Sequence, residues 1–262
     1  MSAGNIILRT EKLRMEFGGL VALNDVDFYL EENSIVSIIG PNGSGKTTFF
    51  NVITGVYRPT CGHIYFGKKQ TDISGKKPHQ IAHMGISRTF QAIRLFSNMT
   101  VIENVMVGQH TRSFTGFLLS VLHTRSKRIE EDSIRRKSLE ILRMFKEDIV
   151  CKANMLAKNL PYADRRRLEI SRALATEPKI LLLDEPSAGM NPREASELMD
   201  DIKRIRDMGY SIVVIEHDMK VVQNLSDRVI VLDYGKKIAE GQFEDIRRDE
   251  HVIQAYLGKK QK

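Results

Sequence analysis

Ser34-Ile35-Val36-Ser37-Ile38-Ile39, Gly40-Pro41-Asn42-Gly43-Ser44-Gly45-Lys46-Thr47 and Thr48-Phe49-Phe50-Asn51-Val52-Ile53 follow one another without a gap and decide the fold. The first piece is a short, continuous apolar run, as expected of a buried strand. The last reads as a helix beginning near Thr47 whose N-terminus faces the segment between them. That segment fits G-x-x-x-x-G-K-[ST], the loop that wraps a polyphosphate. Gly43 and Gly45 let the backbone curl until successive N–H groups point inward. Lys46 is placed to reach the terminal phosphates and the Thr47 hydroxyl to bind Mg²⁺. Gly40, Pro41, Asn42, Ser44 and Thr48 complete the expected phosphate-contacting set.

Working outward, residues 6–33 alternate polar and apolar, as in Val26-Asp27-Phe28-Tyr29-Leu30, and predict antiparallel strands with one wet face. Ile180–Leu183, Ile212–Ile215 and Val229–Leu232 repeat the continuous apolar character of Ile35–Ile39. Such runs suit parallel strands covered on both faces, and the helical patterns between them make the class α/β. From about residue 92 to 160 the rhythm breaks. Ile134, Ile141, Leu142 and Phe145 recur at helical spacing, with Glu131–Arg135 and Asp132–Arg136 as i,i+4 pairs on the wet side. This predicts a helical subdomain inserted into the core. A hairpin is expected around Tyr234-Gly235-Lys236 and a last helix over 249–257.

The chain has 262 residues, 42% hydrophobic and 28% charged, a composition that forms a large core and argues against disorder. A net charge of +7 suits nucleic acid or an anionic membrane face, but acidic residues are interleaved throughout. Lys68-Lys69, Lys76-Lys77 and Arg165-Arg166-Arg167 are expected as solvated faces. Two cysteines without metal-ligand spacing fit a reducing compartment. The first residues lack a signal-peptide pattern, and no apolar run approaches a bilayer span, so membrane work would be done from the surface. Phe114, Phe117, Leu118, Val121 and Leu122 fall on one helical face near Arg112 and Arg125-Ser126-Lys127-Arg128. That face packs on its own subdomain or touches lipid headgroups.

A second signal is Ile180-Leu181-Leu182-Leu183-Asp184-Glu185-Pro186. A buried strand delivers Asp184 to its C-terminal end, where open α/β sheets bind ligands. There it can hold Mg²⁺ through water, and Glu185 can orient or deprotonate an attacking water. The apolar run ending in Glu216-His217-Asp218 repeats the arrangement, placing His217 within reach of a γ-phosphate or the water. Gln91, in Arg88-Thr89-Phe90-Gln91, sits where core gives way to helical subdomain.

Taken in order, these residues resemble the ATP-binding subunit of an ABC transporter over nearly the whole chain. The resemblance implies ATP and Mg²⁺ as cofactors and a P-loop NTPase (RecA-like) core with a parallel sheet, an N-terminal antiparallel β-subdomain and an inserted helical subdomain. It also implies one cassette over 1–262, with core at 1–91 and 161–262 and helical subdomain at about 92–160. Catalytic roles fall to Lys46, Glu185 and His217. Thr47, Gln91 and Asp184 serve the metal, and Phe17 stacks on adenine. The family's signature acts in trans, on nucleotide held by a second cassette; here that place reads Leu160-Pro161-Tyr162-Ala163-Asp164. Pro161 is tolerated at a first helical position. Ala163 adds a methyl and Asp164 a negative charge where a phosphate is to approach, which predicts a weakened trans site. Asn191 stands where many relatives carry Asp.

Phe17-Gly18-Gly19-Leu20, Arg88–Gln91, Arg166-Arg167-Leu168-Glu169-Ile170, Ala188-Gly189-Met190-Asn191-Pro192, Ile215–Met219 and Ala255-Tyr256-Leu257-Gly258 look most like the branched-chain amino-acid (or related amide) uptake ATPases, and specifically the longer of their two ATPases. That resemblance implies membrane permease subunits and a second ATPase as partners, with a heterodimer favoured over a homodimer. A periplasmic or extracellular solute-binding protein acts indirectly, and no nucleic acid is expected. The implied location is peripheral, on the cytoplasmic face of the inner membrane. Leu95, Phe96 and Met99 are placed to receive a short helix of the permease. An exporter ATPase, such as that of lipopolysaccharide transport, and a soluble ABC ATPase are the alternatives.

Overall fold

The computed structural model describes residues 5–109, 125–145 and 147–257. The face expected over Phe114–Leu122 lies outside them. In chain order the elements are β1 (Ile6–Phe17), β2 (Leu20–Glu31), β3 (Ile35–Ile39), α1 (Lys46–Ile53), β4 (Cys61–Phe66), β5 (Thr71–Asp72), α2 (Pro78–Met84), β6 (Ile86–Arg88), α3 (Val101–Gln109), α4 (Arg125–Arg143) and α5 (Glu147–Cys151). Then come α6 (Tyr162–Leu174), β7 (Ile180–Asp184), α7 (Pro192–Asp207), β8 (Ser211–Ile215), α8 (Met219–Leu225), β9 (Arg228–Asp233), β10 (Lys236–Gly241), α9 (Phe243–Ile246) and α10 (Glu250–Leu257).

Two sheets form. The smaller, in the order β2-β1-β4-β5, is antiparallel throughout. The larger runs β10-β9-β3-β8-β7-β6, with β9, β3, β8, β7 and β6 parallel and β10 returning antiparallel through a hairpin. The continuous apolar strands are explained by burial on both faces. Alternate residues of each strand enter different cores, as the two-residue period of a strand requires. Val36, Ile38, Ile180, Leu182, Val213 and Ile215 face α1 and the antiparallel sheet, where Phe28, Phe49, Phe50 and Ile53 pack. Ile35, Leu181, Leu183, Ile212 and Val214 face the helical side with Leu168, Leu174, Leu198 and Ile202. A smaller cluster of Ile39, Val222, Val229, Val231, Ile246 and Val252 seats α8, α9 and α10 on the remaining corner.

Between β6 and α6 the described residues are helices joined by loops, with one isolated bridge, Thr100 to Leu156, where the segment leaves and rejoins the core. Ile141, Leu142 and Phe145 are buried as their spacing predicts. The two expected i,i+4 ion pairs are replaced by other bonds. Arg135 donates to Asn154 Oδ1 at 3.3 Å, and Arg136 to the backbone carbonyl of Asp132 at 3.4 Å. On an exposed helix such a pair is worth only a few tenths of a kcal/mol, so a competing acceptor easily wins. The three-arginine run is a larger departure from a solvated face. Arg166 and Arg167 are buried, because the core-facing stripe of α6 passes through both and each finds anionic or carbonyl partners there. No helix among the described residues is long and apolar enough to cross a membrane.

Candidate functional site

The order β3-β8-β7 sets three neighbouring parallel strands side by side, in register as Val36 with Val213 and Asp184 with Ile215. Parallel strands end on one edge. The segments that follow them, residues 40–47, His217 and Glu185, therefore share that edge.

The loop after β3 is shaped for close backbone approach. A Cβ on Gly40 would sit 2.0 Å from the carbonyl oxygen of Leu232, and one on Gly45 2.5 Å from that of Ala22. Both glycines have positive φ, 149° and 103°. Gly45 precedes α1 and caps it with no side chain, and the first turn carries no acidic residue. The first N–H groups of a helix have no intrahelical acceptor, so they are available to an anion. Lys46 is buried, and its Nζ lies 2.7 Å from Gly40 O and 2.9 Å from Pro41 O. Burial pushes this ammonium's pKa down, while the charges of Glu185 and Asp184 oppose the shift. The loop is braced from behind, with Gly235 N donating to Ser44 O at 3.0 Å. A glycine-lined loop, a buried cation and an uncapped helix start fit a polyphosphate; two carboxylates beside the cation fit its divalent counter-ion.

Asp184 ends β7 and is buried, with Oδ2 2.6 Å from Arg88 Nη2. Glu185 follows in a left-handed conformation, φ 48°, its N–H held by Ile215 O at 2.9 Å. Its Oε2 accepts from Gln91 Nε2 at 2.9 Å and lies 3.8 Å from His217 Nδ1. The structure thus brings Gln91, Glu185 and His217 together, with Gln91 on the glutamate. Phe17 is exposed at the end of β1, its ring edge-on to Tyr57 at 5.1 Å.

Sequence reasoning passed over Glu216, which is fully buried and accepts from Ser187 N (3.0 Å), Ser187 Oγ (2.7 Å) and His217 N (3.3 Å). Burial pushes its pKa up, against the pull of these donors. It ties the loop after Glu185 to His217. A carboxylate directly after an unbroken apolar strand was the available sign, since a charge there needs partners.

The segment 160–164 differs from expectation in three ways. Pro161 is the N-cap of α6, and Tyr162 is its first helical residue. Ala163 is buried, so its methyl packs inward. Asp164 is held by Lys152 Nζ at 2.6 Å and Arg167 Nη1 at 3.3 Å, so its charge is already balanced within the chain. Tyr162 instead hydrogen-bonds the carbonyl of Ala188 at 2.9 Å, linking this segment to the 187–191 loop.

The family model for ABC transporters matches residues 23–188, spanning the loop, Gln91, 160–164 and Asp184-Glu185. This chain belongs to the ABC transporter family. As an ATPase of that family it hydrolyses ATP. A second model, for branched-chain amino acid ATP-binding cassette transporters, matches residues 236–261. The chain is 46% identical over 254 residues to the high-affinity branched-chain amino acid transport ATP-binding protein LivG of Salmonella typhimurium, covering 96% of this chain and 98% of that one. It is 44% identical over 255 residues to BraF of Pseudomonas aeruginosa, with the same coverage. Among solved structures it resembles the ADP conformation of MJ1267, an ATP-binding cassette of an ABC transporter (TM-score 0.83, 33% identity, 97% of this chain and 99% of that one). It also resembles the dimeric post-hydrolysis state of the cassette MJ0796 bound to ADP and Pi (TM-score 0.72, 25% identity, 90% and 99%). ABC ATPases pair as dimers and work with membrane permeases.

Proposed function

We propose that this chain is one ATPase subunit of an importer for branched-chain, hydrophobic amino acids, seated on the cytoplasmic face of the plasma membrane. The observation that carries the reading is full-length likeness to LivG and BraF, joined to a site in which residues 40–47, Asp184-Glu185 and His217 share one sheet edge. Lys46 and the loop N–H groups hold the phosphates, with Gly40–Thr48 as the cradle and Phe17 against the base. Thr47, Asp184 and Gln91 serve Mg²⁺, which when bound draws charge from the phosphate oxygens. Glu185 orients the water and takes its proton, and His217 steadies the γ-phosphate side. Residues 160–164 close over nucleotide held by a second, different ATPase. The segment from about 92 to 160 acts as the helical subdomain of a single cassette spanning 1–262.

A groove of about 470 Å³, lined in part by Arg94, Leu95, Phe96, Val107 and Arg172, supports the permease contact. Phe96 is 46% exposed within it, an apolar ring open to a partner helix. The test is reconstitution with two permeases, a second ATPase and a solute-binding protein in vesicles. ATP-dependent leucine uptake that stops with Glu185→Gln is expected. ATP-driven efflux, or uptake indifferent to this subunit, would contradict the reading.

A further inference from the structure

Arg88 is the last residue of β6, the edge strand, and lies in register with Leu182, two residues ahead of Asp184. Its side chain is only 7% exposed. One arm, Nη2, meets Asp184 Oδ2 at 2.6 Å, and the other, Nη1, meets Asn51 Oδ1 in α1, also at 2.6 Å. The guanidinium lies over Phe50 and Phe90, with 5.3 and 5.2 Å to the ring centroids, and its Nε is buried without a partner. Burying a guanidinium with one donor unsatisfied costs free energy, and an apolar residue of like size would fill this space more cheaply. What such a residue could not do is hold two acceptors from different elements in a fixed fork.

The two acceptors belong to the two halves of the site. Asn51 lies one turn beyond Thr47 on α1, and Asp184 ends β7. We propose that Arg88 is a positioning residue for the metal centre. It commits Asp184 Oδ2 to the protein, so that Oδ1 would be the oxygen left to serve a bound metal, and locks that carboxylate to the helix carrying Thr47. This rests on the reading of residues 40–47 and 184 as a magnesium–nucleotide site. A lysine at 88 would keep the charge but reach one acceptor at a time.

The test uses the full chain, a fluorescent non-hydrolysable ATP analogue, and Mg²⁺ titrated from a chelated baseline. In Arg88→Met, analogue binding without metal should stay within about twofold of wild type, while the Mg²⁺ concentration for half-effect rises at least about tenfold, the size of one lost charge-assisted contact. Arg88→Lys and Asn51→Ala should each raise it about threefold, because one prong is lost and the buried carboxylate keeps a cation. If Arg88→Met does not fold, these two milder variants decide the matter. Half-effect concentrations within twofold of wild type in the variants that fold would overturn the proposal. So would equal losses with and without metal, which mark a merely structural residue. If wild type itself binds no analogue, or gains nothing from Mg²⁺, the nucleotide-site reading fails and takes this role with it.

Discussion

At the scale of single residues, Glu185 is where backbone and chemistry meet. A glutamate with positive φ is uncommon and costs on the order of 1 kcal/mol or more, sustained here by the bond from its N–H to Ile215 O. That turn sets its carboxylate beside Gln91 and His217. Glu185→Gln should leave ATP affinity within about threefold while phosphate release falls by at least about a hundredfold, the usual loss for a general base. Turnover near wild type would reassign the water-handling group. Gly45→Ala drives a methyl against Ala22 O, 2.5 Å away, at a φ of 103°. Both nucleotide binding and melting temperature should drop, by roughly 1–3 kcal/mol in stability. Glu216 adds a pH dependence. Its pKa is raised on folding by burial, so its contribution to stability is fully present below the ordinary value of 4.5 and is lost as pH rises through the folded value. Denaturation across that range should show wild type losing stability relative to Glu216→Gln as pH rises; parallel curves would remove Glu216 as the cause.

Elements explain what could and could not be seen in the residues beforehand. The four continuous apolar runs became neighbouring parallel strands because their length and bareness of polar residues leave no wet face. The capping box at α7 went unread although its sign, Asn191-Pro192-x-Glu194, is local: Asn191 Oδ1 accepts from Glu194 N at 3.0 Å, and Asn191 N donates back to the glutamate at 3.1 Å. Long-range polar pairing was not legible. Arg166 and Arg167 sit in a charge run whose solvated reading is sound locally, yet α6 turns Arg166 toward the carbonyls of Phe90 and Gln91, at 2.8 Å each, and Arg167 toward buried Asp201 at 2.8 Å. The partners are dozens of residues away, so no local pattern records them. Lys152 and Asp164 stand only twelve residues apart, but the turn after α5 and the start of α6 bring them together, which helical or strand periodicity does not record. Arg167→Met leaves Asp201 with Arg204 alone and should cost about 1–3 kcal/mol, less than for a fully unpaired buried charge, read as a lower urea midpoint with Arg167→Lys partly restoring it. A stability loss under about 1 kcal/mol would mean that water or rearrangement replaces the pair.

For the whole molecule, the larger sheet divides the core in two: the antiparallel sheet and α1 on one side, the α6 and α7 helices on the other. Arg166 runs from α6, whose first turn includes residues 162–164, to the backbone carbonyls of Phe90 and Gln91 after β6. On the proposed function, this bond links the segment that closes over nucleotide to Gln91 at the metal. Phe96→Ala, in the groove near that junction, should leave ATP hydrolysis by the isolated subunit within about twofold while weakening capture of the permeases, since an apolar anchor at an interface centre commonly carries 2 kcal/mol or more. Unchanged capture would move the permease contact elsewhere. The convergence of residues 40–47, 91, 184–185 and 217 on one nucleotide is tested most directly by a crystal structure of Glu185→Gln with ATP and Mg²⁺. The expected result is phosphates cradled by the N–H groups of 43–47, with the metal between Thr47 and Asp184. Nucleotide bound away from this edge, or metal without either residue in its surroundings, would contradict it.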